Sequence, residues 1–261
     1  MKEGRTAPRR TAILAYNLGV LLAMVLVPAS AKAYSLKTTR AGYHVRWWNQ
    51  KTIRLRIDPA LERAMAGDQA RQAAVMAAEA WRGLPGVPDI VIEPGAAPGF
   101  EPARRTGGIY LTRQWNRDPR ELAVTVSSYT PDGRLMGTDI LVNGSVRYDL
   151  LSETGEHGSR EHHPFDLASV LTHEMGHVLG LDENLDDEMA TMAPYTQPGE
   201  THQRSLTEDD KEGVIELYSA PRPRAALTCS LVSLDGPPRD GSGALLLLLV
   251  LLVLVYRRGR R

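Results

Sequence analysis

The first part of the chain alternates short apolar runs with turn residues. Apolar and polar positions alternate in residues 45–47 and 53–57, which predicts strands with one buried face. Asp58 can cap a helix and Pro59 suits its first position, so an alanine-rich helix is predicted to run to about Arg82. Further short apolar runs predict four strands, at residues 89–92, 108–111, 122–129 and 138–142. Strand, helix and then several strands indicate an α+β domain.

Two amphipathic helices are predicted to end this domain. Apolar residues recur at helical spacing in residues 165–179, and Gly180 suits the left-handed residue that ends such a helix. The last helix begins at Thr207, whose side chain can cap it, while Asp210 three residues on approximates a capping box. Since no internal repeat is found, residues 34–218 are interpreted as one domain of about 185 residues.

The first 33 residues have the composition of a secretory signal peptide. Basic residues precede an apolar run at residues 12–27, and Ala31-Lys32-Ala33 provides the small-x-small pattern that a signal peptidase accepts. We expect cleavage before Tyr34 and export of the mature chain. An uncleaved N-terminal anchor is the alternative.

A second apolar segment, residues 244–261, ends the chain in a cluster of arginines. Its apolar part is short for a bilayer span, which needs about 20 residues, and the arginines would stay on the cytoplasmic side. Residues 219–243 form a linker rich in Pro, Gly and Ser that contains Cys229. Cysteine, spacer, apolar helix and arginines together resemble the MYXO-CTERM type of sorting tail. The resemblance implies that a sortase-like enzyme processes the tail at Cys229, a candidate for lipid attachment; an ordinary tail anchor is the alternative.

The expected result of this processing is a chain that is anchored to the cell surface or outer membrane, or secreted. Contact with the membrane through the tail is then at least transient.

Charge and cysteine content exclude several classes of partner and site. Residues 1–33 contain five Lys/Arg and one acidic residue, and residues 257–261 contain four Arg, so residues 34–256 contain 22 basic and 30 acidic residues. This acidic body has no clustered basic face, which argues against nucleic acid as a partner. A single cysteine excludes both an internal disulfide framework and a four-cysteine zinc site.

The candidate chemistry lies in the first of the two closing helices, at His173-Glu174-Met175-Gly176-His177. Residues four apart share one helix face, so both imidazoles can bind one ion and Glu174 can project beside it towards a water molecule. Two neutral imidazoles suit zinc, and a catalytic zinc needs a third protein ligand and an open position. A histidine pair without a metal is the alternative, but the apolar helix and its terminal glycine favour the metal site.

Residues 165–184 resemble the active-site helix of the matrixin-type metzincin proteases. Downstream, residues 191–195 resemble the methionine turn of that family and residues 206–218 resemble its final helix, while residues 123–143 are similar to its paired strands beside the cleft. The resemblance covers about residues 43–218. It implies a single metzincin-like α+β domain in which a twisted, mostly parallel five-stranded sheet with an antiparallel edge strand packs with about three helices.

The same resemblance implies roles for individual residues. Met192 would form the hydrophobic floor beneath the metal, with a plain core methionine as the alternative. Pro194 and Tyr195 would line the pocket for the residue after the cut bond. Glu174 would take a proton from the attacking water and return it to the leaving amine. We expect an extended substrate along an exposed edge strand, for which residues 138–143 are the candidate.

One position departs from the family pattern. The family places a third histidine ten residues after the first, and this chain has Glu183 there. Gly180 lets the chain turn back beneath the ion, so Glu183 could complete a His-His-Glu set, which zinc accepts. Asp182, Asp186 and the distant His202 are the alternatives, in which case Glu183 would be a solvated surface acid.

The remaining candidates for metal binding are less specific. His157, His162 and His163 could hold a second metal, but the partner histidines that some matrixins carry on neighbouring strands are missing, which favours a polar loop. His44 is most simply a surface residue. Calcium is a possible further cofactor of this family, although no loop here has a decisive pattern of oxygen ligands. Cys229 follows the catalytic segment, so a propeptide cysteine switch is not expected.

The expected function is that of a secreted or surface-anchored zinc-dependent endopeptidase acting on a protein or peptide substrate. Two alternatives stay open: a non-catalytic zinc-containing surface binding module on the same scaffold, and a hydrolase of a substrate other than peptide. Glu174 favours catalysis because a purely structural zinc site needs no general base.

Overall fold

The computed structural model describes residues 33–152 and 163–221. Residues 1–32 of the predicted signal peptide and the predicted C-terminal apolar segment, with Cys229, His157 and His162, lie outside the described residues. All of the described residues belong to the first of the two units into which the chain divides. Among them, no helix is long and apolar enough to cross a bilayer.

A five-stranded sheet forms one layer of the domain. The strands are β1 (Thr52–Ile57), β2 (Asp89–Ala96), β3 (Gly108–Thr112), β4 (Ala123–Tyr129) and β5 (Leu135–Asn143). Their order is β2-β1-β3-β5-β4, and the pairs are parallel except for β4 and β5, which pair antiparallel. Ile53, Leu55 and Ile57 bury one face of β1, as their alternation with polar residues predicts. The predicted α+β fold, with a mostly parallel sheet and an antiparallel edge strand, is confirmed.

The edge of this sheet is not where the sequence predicted it. Residues 138–143, the candidate substrate strand, belong to β5, which is paired with β3 on one side and β4 on the other. Residues 137–140 are all buried, a continuous run typical of an interior strand. The edge strand next to β5 is β4, and its C-terminal residue Tyr129 is exposed, while β2 forms the opposite edge. The predicted strand at residues 45–47 is also absent, because that segment makes only an isolated bridge, between Arg46 and Arg134.

The described residues contain four α-helices. They are α1 (Pro59–Ala64), α2 (Gln69–Ala80), α3 (Leu167–Leu179) and α4 (Glu208–Ser219). The single helix predicted up to Arg82 is thus two helices, because the chain adopts a left-handed conformation at Gly67 (φ +56°) between α1 and α2. Asp58 caps α1 as predicted, accepting a hydrogen bond of 2.9 Å from the Ala60 amide.

Helix α2 fixes the position of α3 through small residues and one tryptophan. The buried face of α2 consists of alanines, which allow close packing: Ala70, Ala73, Ala74, Ala77 and Ala78. Trp81, at the end of α2, is fully buried, and its indole N–H donates to the Thr172 carbonyl in α3 over 2.9 Å. The helix with the two histidines is therefore held against both the sheet and α2.

Both ends of α3 are capped. Asp166 caps its start and accepts a hydrogen bond from the Ser169 amide over 2.8 Å. Arg204, in the 3₁₀ helix His202–Arg204, makes two hydrogen bonds of 2.7 and 2.6 Å to the Asp166 carboxylate. Gly180 ends the helix in the left-handed conformation predicted for it (φ +108°), and a Cβ atom there would lie 2.1 Å from the Val45 carbonyl oxygen.

The last helix begins as predicted, with a capping box. The Thr207 side chain accepts from the Asp210 amide, and the Asp210 side chain accepts from the Thr207 amide. At the other end of α4, Arg46 donates to the carbonyl oxygens of Leu217 and Ala220. A small parallel pair, β6 (Tyr148–Asp149) and β7 (Phe165–Asp166), completes the described structure immediately before α3.

Candidate metal centre

Two histidines on consecutive turns of α3 point their ring nitrogens at one place. The Nε2 atoms of His173 and His177 are 3.1 Å apart. The Nδ1 atom of His173 lies 2.9 Å from the Thr191 carbonyl oxygen, and that of His177 lies 3.0 Å from the Leu181 carbonyl oxygen. Because a carbonyl only accepts, each Nδ1 carries the proton and each Nε2 presents its lone pair. Two lone pairs therefore face each other and favour a cation between them.

The carboxylate of Glu183 approaches the same place. Its Oε2 is 3.7 Å from the His173 Nε2, and its Oε1 is 3.5 Å from the His177 Nε2. The Oε2 atom is buried and has no hydrogen-bond partner among the described residues. One ligand atom from each of the three residues lies within 4.8 Å of the others, and no other group of three metal-binding side chains in the described part of the chain does so.

The alternative third ligands lie elsewhere. The Asp182 carboxylate accepts from the Glu183 amide over 3.1 Å, and His202 Nδ1 lies 3.9 Å from the Glu200 carboxylate. Neither of these side chains, nor that of Asp186, joins the histidine pair.

The electrostatics of the three residues favour positive charge at their centre. Burial lowers the pKa of His173, but attraction to the nearby carboxylates of Glu183 and Glu174 outweighs burial and raises that pKa to about 9. Burial raises the pKa of Glu183, but the two imidazoles outweigh burial and lower that pKa to about 2. The site thus binds a proton tightly where a metal ion would compete for the same lone pairs.

The position of Glu183 depends on the way the chain leaves α3. The amides of Gly180 and Leu181 both donate to the Gly176 carbonyl, over 3.1 and 3.0 Å, which reverses the chain direction in a Schellman-type turn. Residues 35–37, called the N-terminal segment below, then pair with residues 180–182. The Lys37 amide donates to the Gly180 carbonyl, and the Asp182 amide donates to the Ser35 carbonyl.

After Glu183 the chain is fixed again at Asn184. The Asn184 amide donates to the Met192 carbonyl over 2.8 Å, and its side chain accepts from the amides of Asp186 and Asp187. The segment carrying Glu183 is therefore held on one side by the N-terminal segment and on the other by the turn at Met192.

Met192 packs against α3 at Gly176, the residue just before His177. It is 2% exposed, and its sulfur would be 2.2 Å from a Cβ atom at Gly176. The buried carboxylate of Asp210 accepts from the amides of Thr191 and Met192, over 2.9 and 3.2 Å, and so holds this turn from α4. Asp210 thus both completes the capping box of α4 and fixes the turn at Met192, and the capping pattern in the sequence indicates only the first role.

Glu174 lies beside the histidine pair and is 4% exposed. Its Oε2 accepts a hydrogen bond of 2.7 Å from the hydroxyl of Thr125 in β4. Sequence reasoning missed Thr125, because 49 residues separate it from Glu174 and no spacing rule links a strand to a helix at that distance.

A cavity of about 890 Å³ lies beyond the methionine turn, and Pro194 and Tyr195 are among its lining residues. Asn184, the neighbour of Glu183, also lines it, whereas His173, His177, Glu183 and Glu174 do not. Tyr195 is 83% exposed, so it stands at the rim of the cavity rather than in its wall. The lining includes the carboxylates of Glu188 and Glu200 and the imidazoles of His163 and His202, with no lysine or arginine among the described residues.

Part of the chain is similar in sequence to a known protein family. Residues 120–219, 100 of the 261 in the chain, match the family model described as Matrixin. This segment is matrixin-like. It contains β4, β5, the histidine pair, Glu183, the methionine turn and α4, whereas β1–β3 lie before it. With the five-stranded sheet, the match supports a metzincin-type fold.

Two relatives show the extent of the similarity. Human Matrix metalloproteinase-16 is 38% identical over 80 residues, which is 31% of this chain and 13% of that protein. Metalloendoproteinase 1-MMP of Arabidopsis thaliana is 47% identical over 77 residues, which is 30% of this chain and 20% of that protein. The matched segments therefore span a fifth or less of these relatives' length.

Proposed function

We propose that this protein is an exported zinc-dependent endopeptidase in which His173, His177 and Glu183 hold the zinc and Glu174 is the general base. The observation that carries the proposal is the convergence of two imidazole lone pairs and an unpartnered carboxylate oxygen on one point beside a buried glutamate. The matrixin-like segment supports the same assignment, because matrixins are zinc-dependent peptidases.

The three side chains fit zinc by geometry as well as by chemistry. Ligand atoms about 2.0–2.2 Å from a tetrahedral zinc are about 3.3–3.6 Å apart. Here the imidazole nitrogens are 3.1 Å apart, the His177 Nε2 is 3.5 Å from the Glu183 Oε1, and the His173 Nε2 is 3.7 Å from the Glu183 Oε2. The tautomers fixed by Thr191 and Leu181 supply the hydrogen bonds that such ligands need at their other nitrogen.

Glu174 carries the proton in the proposed reaction. Zinc held by these residues would supply a Lewis acid that acidifies water and polarises the scissile carbonyl. Glu174 accepts the proton of the attacking water and then donates it to the nitrogen of the leaving amine. Only Oε2 of its carboxylate is hydrogen-bonded to Thr125, so Oε1 is available for this transfer.

The substrate would lie extended along β4, which replaces residues 138–143 as the candidate. Because β5 pairs with only one side of β4, the main-chain groups on the other side can pair with a peptide. The cavity lined by Pro194 and Tyr195 would then accept a substrate side chain, and the carboxylates of Glu188 and Glu200 within its lining favour a neutral or basic one.

The route of the protein to its place of action is also part of the proposal. The signal peptide would be removed by signal peptidase, and the tail around Cys229 would be processed by a sortase-like enzyme. The mature protein would then be anchored at the cell surface or outer membrane, or released.

The test is zinc-dependent cleavage by the full chain after export. We expect it to cleave an unfolded protein, and we expect Glu174→Gln to abolish cleavage while zinc content stays at one per chain. Glu200→Gln, at an acidic residue away from the histidines, serves as a control for zinc content. Zinc retention without any cleavage by the parent would instead favour a non-catalytic binding module.

A further inference from the structure

Thr125 occupies a special position in the edge strand. It is the one buried residue of β4, with 8% of its surface exposed. On the sheet side, Thr125 is paired with Ile140 of β5, which is completely buried. Its side chain therefore points from a fixed position on the sheet towards α3.

The hydroxyl of Thr125 contacts two atoms of the same residue. It lies 2.7 Å from the Glu174 Oε2 and 3.0 Å from the Glu174 main-chain oxygen. This places the donor between the base of the glutamate side chain and its tip. Since the hydroxyl has a single proton and a carboxylate is the stronger acceptor, the bond to Oε2 is the favoured one.

No other hydrogen bond reaches the Glu174 carboxylate from the described residues. The Glu174 side chain has three rotatable torsions. A charge-assisted hydrogen bond to its carboxylate restricts all three at once. Because the bond occupies Oε2, it leaves Oε1 as the oxygen that can face a reacting water. The geometry of proton transfer is sensitive to such placement.

We propose that Thr125 is the positioning residue of Glu174: its hydroxyl holds the carboxylate in the orientation that proton transfer requires. This inference rests on the function proposed above. It also joins two parts of the site, because the main chain of Thr125 belongs to the strand along which the substrate would lie, while its side chain orients the base.

Kinetics of two variants test the hydroxyl directly. Thr125→Val removes the hydroxyl and keeps the shape, and we expect kcat to fall about tenfold or more, as for other residues that orient a catalytic group. KM should stay within about twofold, since the bond acts on Glu174 and not on the substrate. Thr125→Ser restores the hydroxyl, and we expect it to keep more than half of the parental kcat.

Thr138 offers a matched control in the neighbouring strand β5. It is a buried threonine, 2% exposed, and its hydroxyl has no hydrogen-bond partner among the described residues. Thr138→Val should therefore keep the parental kcat. Zinc content and the thermal midpoint, measured for every variant, show that a change in kcat is not a loss of metal or of fold.

Crystal structures of the zinc-loaded parent and of Thr125→Val give a second readout that needs no activity. We expect one position of the Glu174 carboxylate in the parent and a displaced or split position in the variant. If the parent cleaves no peptide, the proposed function fails, but this comparison still decides the role of Thr125.

Three results would overturn the inference. They are a Thr125→Val enzyme with the kcat of Thr138→Val, a Thr125→Ser enzyme as slow as Thr125→Val, and an unmoved Glu174 carboxylate in the variant crystal. Should Thr125→Val fail to fold, Thr125→Ala takes its place in all three comparisons.

Discussion

Gly176 and Met192 are so close that a Cβ atom at position 176 would lie 2.2 Å from the methionine sulfur. The same atom would be 3.0 Å from the ring of Trp81, which is fully buried. The helix that carries the histidines can therefore rest on the methionine turn only because residue 176 has no side chain.

We expect Gly176→Ala to lower the free energy of unfolding by about 1–3 kcal/mol, the usual cost of overpacking a core. Zinc affinity should fall as well, because Thr191, whose carbonyl orients His173, precedes Met192 in the displaced turn. Urea titration and zinc titration measure the two effects. Gly99→Ala is the control: it faces open space and should match the parent in both measurements.

Replacing Glu183 by glutamine tests the third ligand. Gln is of the same size but neutral, and we expect zinc affinity to fall more than about 100-fold, because even residues that only orient a ligand contribute 10–100-fold. Competition with a zinc-binding dye measures the dissociation constant. Asp182→Asn and Asp186→Asn should bind zinc like the parent, and a loss of zinc in either would transfer the role from Glu183.

Removal of zinc should lower the thermal stability of the protein. Free zinc at 100 times its dissociation constant stabilises a folded protein by about 2.7 kcal/mol. For a domain of this size we expect chelation to lower Tm by roughly 5–10 °C, as seen by scanning calorimetry. Chelator should leave the Tm of Glu183→Gln almost unchanged, and an equal Tm of the parent with and without zinc would contradict the proposed site.

The ion pair of Arg204 and Asp166 makes a prediction about stability at residues that are not metal ligands. The Asp166 side chain is fully buried, that of Arg204 is 10% exposed, and Asp166 also caps α3. Arg204→Met would leave the carboxylate without its cation, and we expect a loss of about 3–5 kcal/mol in the free energy of unfolding, measured by urea titration.

Arg120 provides the contrasting ion pair. It bonds Asp118 at the surface, where its side chain is 88% exposed, so Arg120→Met should cause no measurable loss of stability. Equal effects of the two arginine substitutions would show that burial of the Asp166 charge is not what makes the Arg204 pair important.

Several local features followed from the sequence because they depend on neighbours in the chain. The four-residue spacing of His173 and His177 was enough to put them on one face of a helix. The Asp58 cap, the capping box at Thr207 and the left-handed Gly180 were predicted for the same reason, since each involves atoms within a few residues.

Other features required the tertiary structure because strand order and chain reversal depend on distant contacts. The sequence suggested residues 138–143 as an edge, yet they lie between β3 and β4. Glu183 was proposed from its position in a familiar pattern, but its approach to the histidines depends on pairing between Ser35 and Asp182.

The sequence by itself thus determined the pair of imidazoles, the adjacent glutamate and the class of fold, since helical and strand periodicity are local properties. Only the tertiary structure decided which strand forms the edge and that the Thr125 hydroxyl reaches Glu174. These depend on how a sheet and a helix pack, and packing joins residues whose separation along the chain carries no signal.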